Sequence, residues 1–131
     1  MSTRKFITEG QGLPKWSNPI SHAVVVNNMC FVSGQLSVDI DGQYVAGTIE
    51  EESIRAFNNV FSALKVAGFE PDEIVYIDIA FSDLSHANEV NLIYMNLFPE
   101  GRRPARTIYE AAKLPFGGKI KIVATAVKDD S

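Results

Sequence analysis

The chain has a single cysteine, Cys30, among 131 residues. No internal disulfide framework is possible, and a reducing compartment suits such a chain. Histidine is scarce as well: His22 and His86 stand 64 positions apart with no cysteine at ligand spacing. A metal site is therefore not expected. No apolar run approaches the roughly 20 residues that span a bilayer, so no membrane segment is expected. The first residues, Met1-Ser2-Thr3-Arg4-Lys5-Phe6, lack the apolar core of a signal peptide, and a cytoplasmic location is expected. Positive charge is in deficit, with a formal net charge of -4. That balance argues against non-specific nucleic-acid binding, which needs a broad basic face. Ser33 lies in no G-x-S-x-G elbow and has no nearby His/Asp pair, so serine nucleophile chemistry is not supported. Repeats, linkers and low-complexity segments are missing too, and the length suits one domain over residues 1–131.

What is present is an ordinary globular composition, 46% apolar and 21% charged, with one local anomaly. Arg102, Arg103 and Arg106 fall within five residues of an acidic chain, and Lys113, Lys119 and Lys121 follow closely. Arg106 comes after a Pro-Ala pair and opens a strand-like run. Proline fixes the backbone on entry. A guanidinium launched from a fixed strand end can grip a planar carboxylate through two parallel hydrogen bonds. The other reading of this stretch is a solvated arginine cluster on a loop.

The pattern of elements is strand, hairpin, helix, strand, helix, strand, strand. A first strand covers about Lys5 to Thr8, and Gly10 to Pro19 is a loop. Ala23–Val26 and Met29–Val32 form a hairpin about Asn27-Asn28, since Asn tolerates positive φ. Thr48 and Glu51 make a capping box, and Gly68 closes the helix that follows. Ile54, Phe57, Phe61 and Leu64 are its expected core stripe. Glu73–Phe81 is a strand that turns Val75, Ile77, Ile79 and Phe81 to one face. Ser85 opens a second helix that Pro99 and Gly101 stop. Arg106–Ala112 and Lys119–Lys128 are the last strands. On the final strand Lys121, Val123, Thr125 and Val127 oppose Ile120, Ile122, Ala124 and Ala126. Both faces are partly apolar, yet two helices can cover only one, so a homo-oligomer is expected.

Val32-Ser33-Gly34-Gln35, Asp83-Leu84 with Val90-Asn91, Pro104-Ala105-Arg106-Thr107, and Lys113-Leu114-Pro115 ahead of Lys119-Ile120 occur in this order. Together, from about Pro19 to Lys128, they resemble the Rid/YjgF family, also called L-PSP or reactive intermediate deaminases. The resemblance implies an α+β, chorismate-mutase-like fold: a mixed six-stranded sheet with two helices on one face. It also implies a homotrimer whose sheets form a central barrel, with sites in clefts between subunits. Members similar to the founding type hydrolyse 2-imino and enamino acids to 2-oxo acids and ammonia, with no metal or cofactor.

Carried over by position, Arg106 matches the family's carboxylate-binding arginine, Ser33-Gly34 the segment lining the site, and Asn91 a helix residue near the cleft. Three positions depart from the best-studied branch. Ile20 stands where that branch has tyrosine, Ile108 where it has cysteine, and Val123 where it has the glutamate that positions water. Glu110 shares a strand face with Arg106, but four residues at about 3.3 Å each place it about 13 Å away. The apolar replacements favour a more hydrophobic ligand side chain.

The expected function is thus hydrolysis of a small carboxylate-bearing imine held by Arg106. The alternative is a regulatory trimer that binds such carboxylates without turnover, which the missing glutamate favours. A ribonuclease or translation inhibitor, a label attached to parts of the family, is opposed by the charge balance. Cys30, in Met29-Cys30-Phe31-Val32, reads as a small buried hydrophobe. His22 reads as a strand-end histidine near the loop that would border the cleft. Trp16 has two readings of equal weight, a cap on a cleft or subunit contact and a surface packing residue.

Overall fold

The computed structural model describes residues 3–129, so the extreme ends of the expected 1–131 domain lie outside the described residues. Eight principal elements follow the expected order. They are β1 (Arg4–Ile7), β2 (Ala23–Val26), β3 (Met29–Gln35), α1 (Ile49–Ala67), β4 (Ile74–Phe81), α2 (Ala87–Leu97), β5 (Ala105–Glu110) and β6 (Ile120–Val127). The strands form one mixed sheet in the order β1-β2-β3-β6-β4-β5. Only β4 and β5 run parallel, through the α2 crossover. The other neighbours are antiparallel. This is the α+β arrangement expected from the sequence.

Local chemistry explains the boundaries. Asn27 takes a φ of 54° in the β2–β3 turn, a conformation Asn accepts more readily than branched residues. At α1, Thr48 Oγ1 accepts from the Glu51 amide at 3.1 Å, and the Thr48 amide donates to Glu51 Oε1 at 2.8 Å. Gly68 ends the helix in the left-handed region, φ 91°. Before α2 a single 3₁₀ turn, Leu84–His86, intervenes, so the regular helix starts at Ala87 rather than Ser85. Asp83 caps that turn by accepting from the Ser85 amide at 3.0 Å. Among the described residues no helix is long and apolar enough to cross a membrane.

Two expected core positions are corrected. Ile54 is 50% exposed. At about 100° per residue it lies about 120° around α1 from the centre of a stripe formed by Ile49, Ala56, Val60 and Leu64. Val75 is 46% exposed, while Ile74 is buried. A register shift against β6 between Ile74 and Tyr76 rotates that end of β4. A bulge breaks the period-two alternation there.

The core lies between the helices and one sheet face. Ile120, Ile122, Ala124 and Ala126 of β6 are buried there, with Ile77 and Ile79 beside them. Phe57, Tyr94 and Phe98 stack edge-on and tilted between the helices. The opposite face carries Lys121, Val123, Thr125 and Val127, all half-exposed, and exposed Phe31 and Tyr76. Among the described residues no helix or strand packs over those side chains, so the face that the sequence marks as partly apolar is open there.

Candidate functional site

Arg106 stands on the edge strand β5, in register with core residue Ile77, and turns toward the helix side of the sheet. Its Nη1 donates to Asn91 Oδ1 of α2 at 2.8 Å. Its Cζ sits 4.8 Å from the centre of the Tyr94 ring. The Tyr94 hydroxyl donates to the Pro104 carbonyl at 3.4 Å, which ties the ring to the Pro-Ala entry of the strand. Burial pushes the Tyr94 hydroxyl's pKa up, and nearby Arg106 and Arg103 pull it back down. Arg106 is therefore aimed by one hydrogen bond and one ring face. Among the described residues it pairs with no carboxylate. Ile108, two residues along the same strand face, packs against the core. The other arginines do different work: Arg103 Nε donates to the Phe98 carbonyl past the end of α2, and Arg102 is exposed.

A second group gathers elsewhere. A cavity of about 270 Å³ is walled by Trp16, Ile20, Gly34, Phe116, Lys121 and Val123, among others. Lys121 and Val123 reach it from the open face of β6. Gly34 comes from β3, and its close approach matters: a Cβ there would lie 2.9 Å from Lys121 Cδ. Phe116 holds a φ of 65°, a backbone region that costs a bulky residue energy. Tyr44 stacks on it, with ring centres 6.0 Å apart.

The turn that carries Phe116 is anchored from below by Glu52, which is fully buried on α1. Its carboxylate accepts from the Tyr44 hydroxyl at 2.6 Å, the Lys119 amide at 3.1 Å, the Gly47 amide at 3.2 Å and Lys119 Nζ at 3.3 Å. Desolvation pushes the Glu52 pKa up, but these donors together bring it below its ordinary value. Burial, followed by the Glu52 contact, pushes the Tyr44 hydroxyl up to about 12.

The structure brings Arg106 and Asn91 together, with Ile108 alongside. It separately brings Ile20, Gly34 and Val123 together. It does not join the two groups within one chain. Gly34 and Arg106 are three strands apart, about 14 Å at 4.8 Å per strand, and face opposite sides of the sheet. Ser33 is outside the cavity lining, and its hydroxyl donates to the Ser21 carbonyl at 2.6 Å. Glu110, four residues past Arg106 on β5, accepts from the Leu84 amide at 3.0 Å. Cys30 is buried in the core, and desolvation pushes its thiol up to about 11, as befits a small hydrophobe.

His22 is more than a strand-end histidine. It is buried, donates from Nε2 to the Pro14 carbonyl at 2.8 Å and accepts at Nδ1 from Gln35 Nε2 at 3.4 Å. Trp16 lies on it, with ring centres 3.7 Å apart, so the tryptophan is a fixed cavity wall. Sequence reasoning missed Phe116 in this wall, and Tyr44 and Glu52 behind it as its support. A bulky residue before Gly117-Gly118 was the available signal for Phe116. For Lys121 the signal was its two-residue offset from Val123.

The profile of the endoribonuclease L-PSP family matches residues 12–128. The chain belongs to this family, also called Rid/YjgF. It is 36% identical over 126 residues to the 2-iminobutanoate/2-iminopropanoate deaminase of Bos taurus, covering 95% of this chain and 90% of that protein. Reactive Intermediate Deaminase A of Arabidopsis thaliana, chloroplastic, is 32% identical across 95% of this chain and 67% of its own length. Among solved structures, the YjgF gene product of E. coli superimposes with a TM-score of 0.86 at 30% identity, covering 95% of this chain and 99% of that one. E. coli TdcF with bound serine superimposes with a TM-score of 0.85 at 28% identity, covering 95% and 100%.

Proposed function

We propose that this L-PSP family protein hydrolyses small 2-imino and enamino acids to 2-oxo acids and ammonia. The observation that carries this reading is Arg106, half-buried, aimed by Asn91 and Tyr94, and free of any carboxylate partner among the described residues. Such a group is a ready receptor for the carboxylate of a 2-imino acid. The names of the relatives in cattle and Arabidopsis support the same chemistry.

The two halves of the site meet only if a neighbouring copy brings its cavity to Arg106. The open sheet face with Phe31, Tyr76 and Val123 supports such an assembly, and a homotrimer of the kind expected from the family is the arrangement proposed. The substrate carboxylate then lies on Arg106, and its side chain enters the cavity lined by Ile20 and Val123. Water adds to C2 of the imine, and a proton moves to nitrogen. The C–N bond then breaks, and ammonia leaves as the carbonyl forms. An imine is already electrophilic, so holding it against water supplies much of what the reaction needs. Val123 contributes no proton transfer.

The test is imine generated in place by an amino-acid oxidase. The protein should speed release of 2-oxo acid and ammonia, and Arg106→Ala should remove that gain. Equal rates with buffer alone defeat the catalytic reading. Val123 favours a second reading, binding of small carboxylates without turnover. Calorimetry with 2-oxobutanoate would then give Arg106-dependent binding with no acceleration.

A further inference from the structure

Among the described residues Lys121 is the one charged side chain in the wall of the open-face cavity, and no acidic residue lines it. Its alkyl stem crosses Gly34 so closely that a Cβ there would meet Cδ at 2.9 Å and Cγ at 3.1 Å. Glycine at position 34 is thus what lets the stem lie along the wall. Among the described residues the ammonium makes no ion pair. Asp78, the only acid of β4, is in register with Val123 and is not paired with Lys121. The buried acid Glu52 is committed to Lys119, Tyr44 and Gly47. An unneutralised cation in a mostly apolar cavity favours an anion there, since attraction strengthens as water is excluded.

The cavity is also larger than a short side chain requires. It holds about 270 Å³ and is open to solvent on one side, which leaves room beyond a two-carbon side chain. Ile20, Phe116 and Val123 suit methylene groups, and Lys121 suits a charged end. An ammonium is a compact point charge without the planar fork of arginine, so it fits a terminal group better than it duplicates Arg106. We propose that Lys121 is a specificity-determining residue that receives a second anionic group, making the preferred substrates 2-imino acids whose side chain ends in a carboxylate. The reaction in this assignment rests on the imine-hydrolysis reading. The charge preference rests on the cavity alone.

Calorimetry on the intact protein with two stable 2-oxo acids tests it. The wild type should bind 2-oxoglutarate at least tenfold more tightly than 2-oxobutanoate. Lys121→Met keeps the stem over Gly34 and removes the charge, so it should erase that preference and leave 2-oxobutanoate within twofold. Gly34→Ala displaces the stem and should weaken 2-oxoglutarate the more of the two. No preference in the wild type, or equal losses of both ligands in Lys121→Met, overturns the assignment. Arg106→Ala separates the two readings. It should weaken both ligands, and if both still bind as before, the carboxylate clamp fails while Lys121 is judged by the preference alone.

Discussion

Arg106 Nη1 donates to Asn91 Oδ1 across 2.8 Å, so a helix residue sets the direction of a strand-borne guanidinium. The bond crosses from the edge strand to α2, and the Tyr94 ring supports the same group. A hydrogen bond to a charged group contributes about 1.5–3 kcal/mol. Asn91→Leu keeps the volume and removes the acceptor. It should raise the dissociation constant for 2-oxobutanoate about tenfold, near the low end of that range, because the Tyr94 ring still supports the guanidinium. Arg106→Lys should not substitute for arginine, having no fork to present. Unchanged binding by Asn91→Leu in calorimetry would deny Asn91 its positioning role.

Glu52 should be a stability residue with an acid signature. Removing its charge leaves the Lys119 and Gly47 amides with weaker acceptors in a buried place, so Glu52→Gln should cost about 2 kcal/mol. The native pKa is depressed, so the stabilisation is present above the unfolded value near 4.3 and is lost as pH falls through the native pKa. Denaturant midpoints of wild type and Glu52→Gln should therefore differ at pH 7 and converge as pH drops below about 4. A constant gap across that range would show that the carboxylate's ionisation is not what stabilises the loop. Because Glu52 holds Tyr44, and Tyr44 stacks on Phe116, the variant should also weaken ligand binding to the cavity.

His22 makes an opposite case in type but the same case in sign. Burial lowers its pKa, and the hydrogen bond to the Pro14 carbonyl offsets part of that fall. The folded state therefore favours neutral imidazole, and its contribution is full above the unfolded pKa near 6.5. Stability should decline as pH falls from 6.5 through the native value, while His22 resists protonation. An NMR titration of the imidazole Cε1 proton should give His22 a midpoint below 6.5. A midpoint at or above 6.5 would contradict the buried neutral pillar under Trp16.

Local signals in the sequence reached as far as local physics does. The Thr48–Glu51 box and Gly68 delimit α1 because capping is decided within four residues. Asn27 placed the hairpin for a similar reason. Pro104-Ala105 before Arg106 marks the proposed clamp, and a helix companion at Asn91 comes only from the family resemblance. What could not be read depends on partners distant in the chain. Val75 loses its core place to a bulge that exists only against β6. Ile54 shares a three-residue spacing with Phe57, yet the stripe's centre is fixed by where the sheet lies. The crossing of Lys121 over Gly34 requires β3 and β6 to be neighbours, 87 positions apart. The distance of Arg106 from Gly34, three strands apart, is likewise a property of strand order.

Val123 offers the most direct chemical experiment. Val123 faces the cavity from β6, two residues beyond Lys121 on the same face. Val123→Glu would place a carboxylate where the family resemblance implies one in the best-studied branch, able to orient water and accept its proton. General acid–base assistance is worth about 10²–10⁴-fold when fully aligned. Here Lys121 competes for the new carboxylate, since residues i and i+2 of a strand lie about 6.6 Å apart and long side chains can close that gap. The single variant should therefore raise kcat on a 2-imino monocarboxylate by about tenfold, less than the aligned limit. It should also erase the preference for 2-oxoglutarate by neutralising Lys121. Adding Lys121→Met should free the carboxylate and raise kcat further. If Val123→Glu leaves kcat unchanged with and without Lys121→Met, the missing glutamate is not what limits this site.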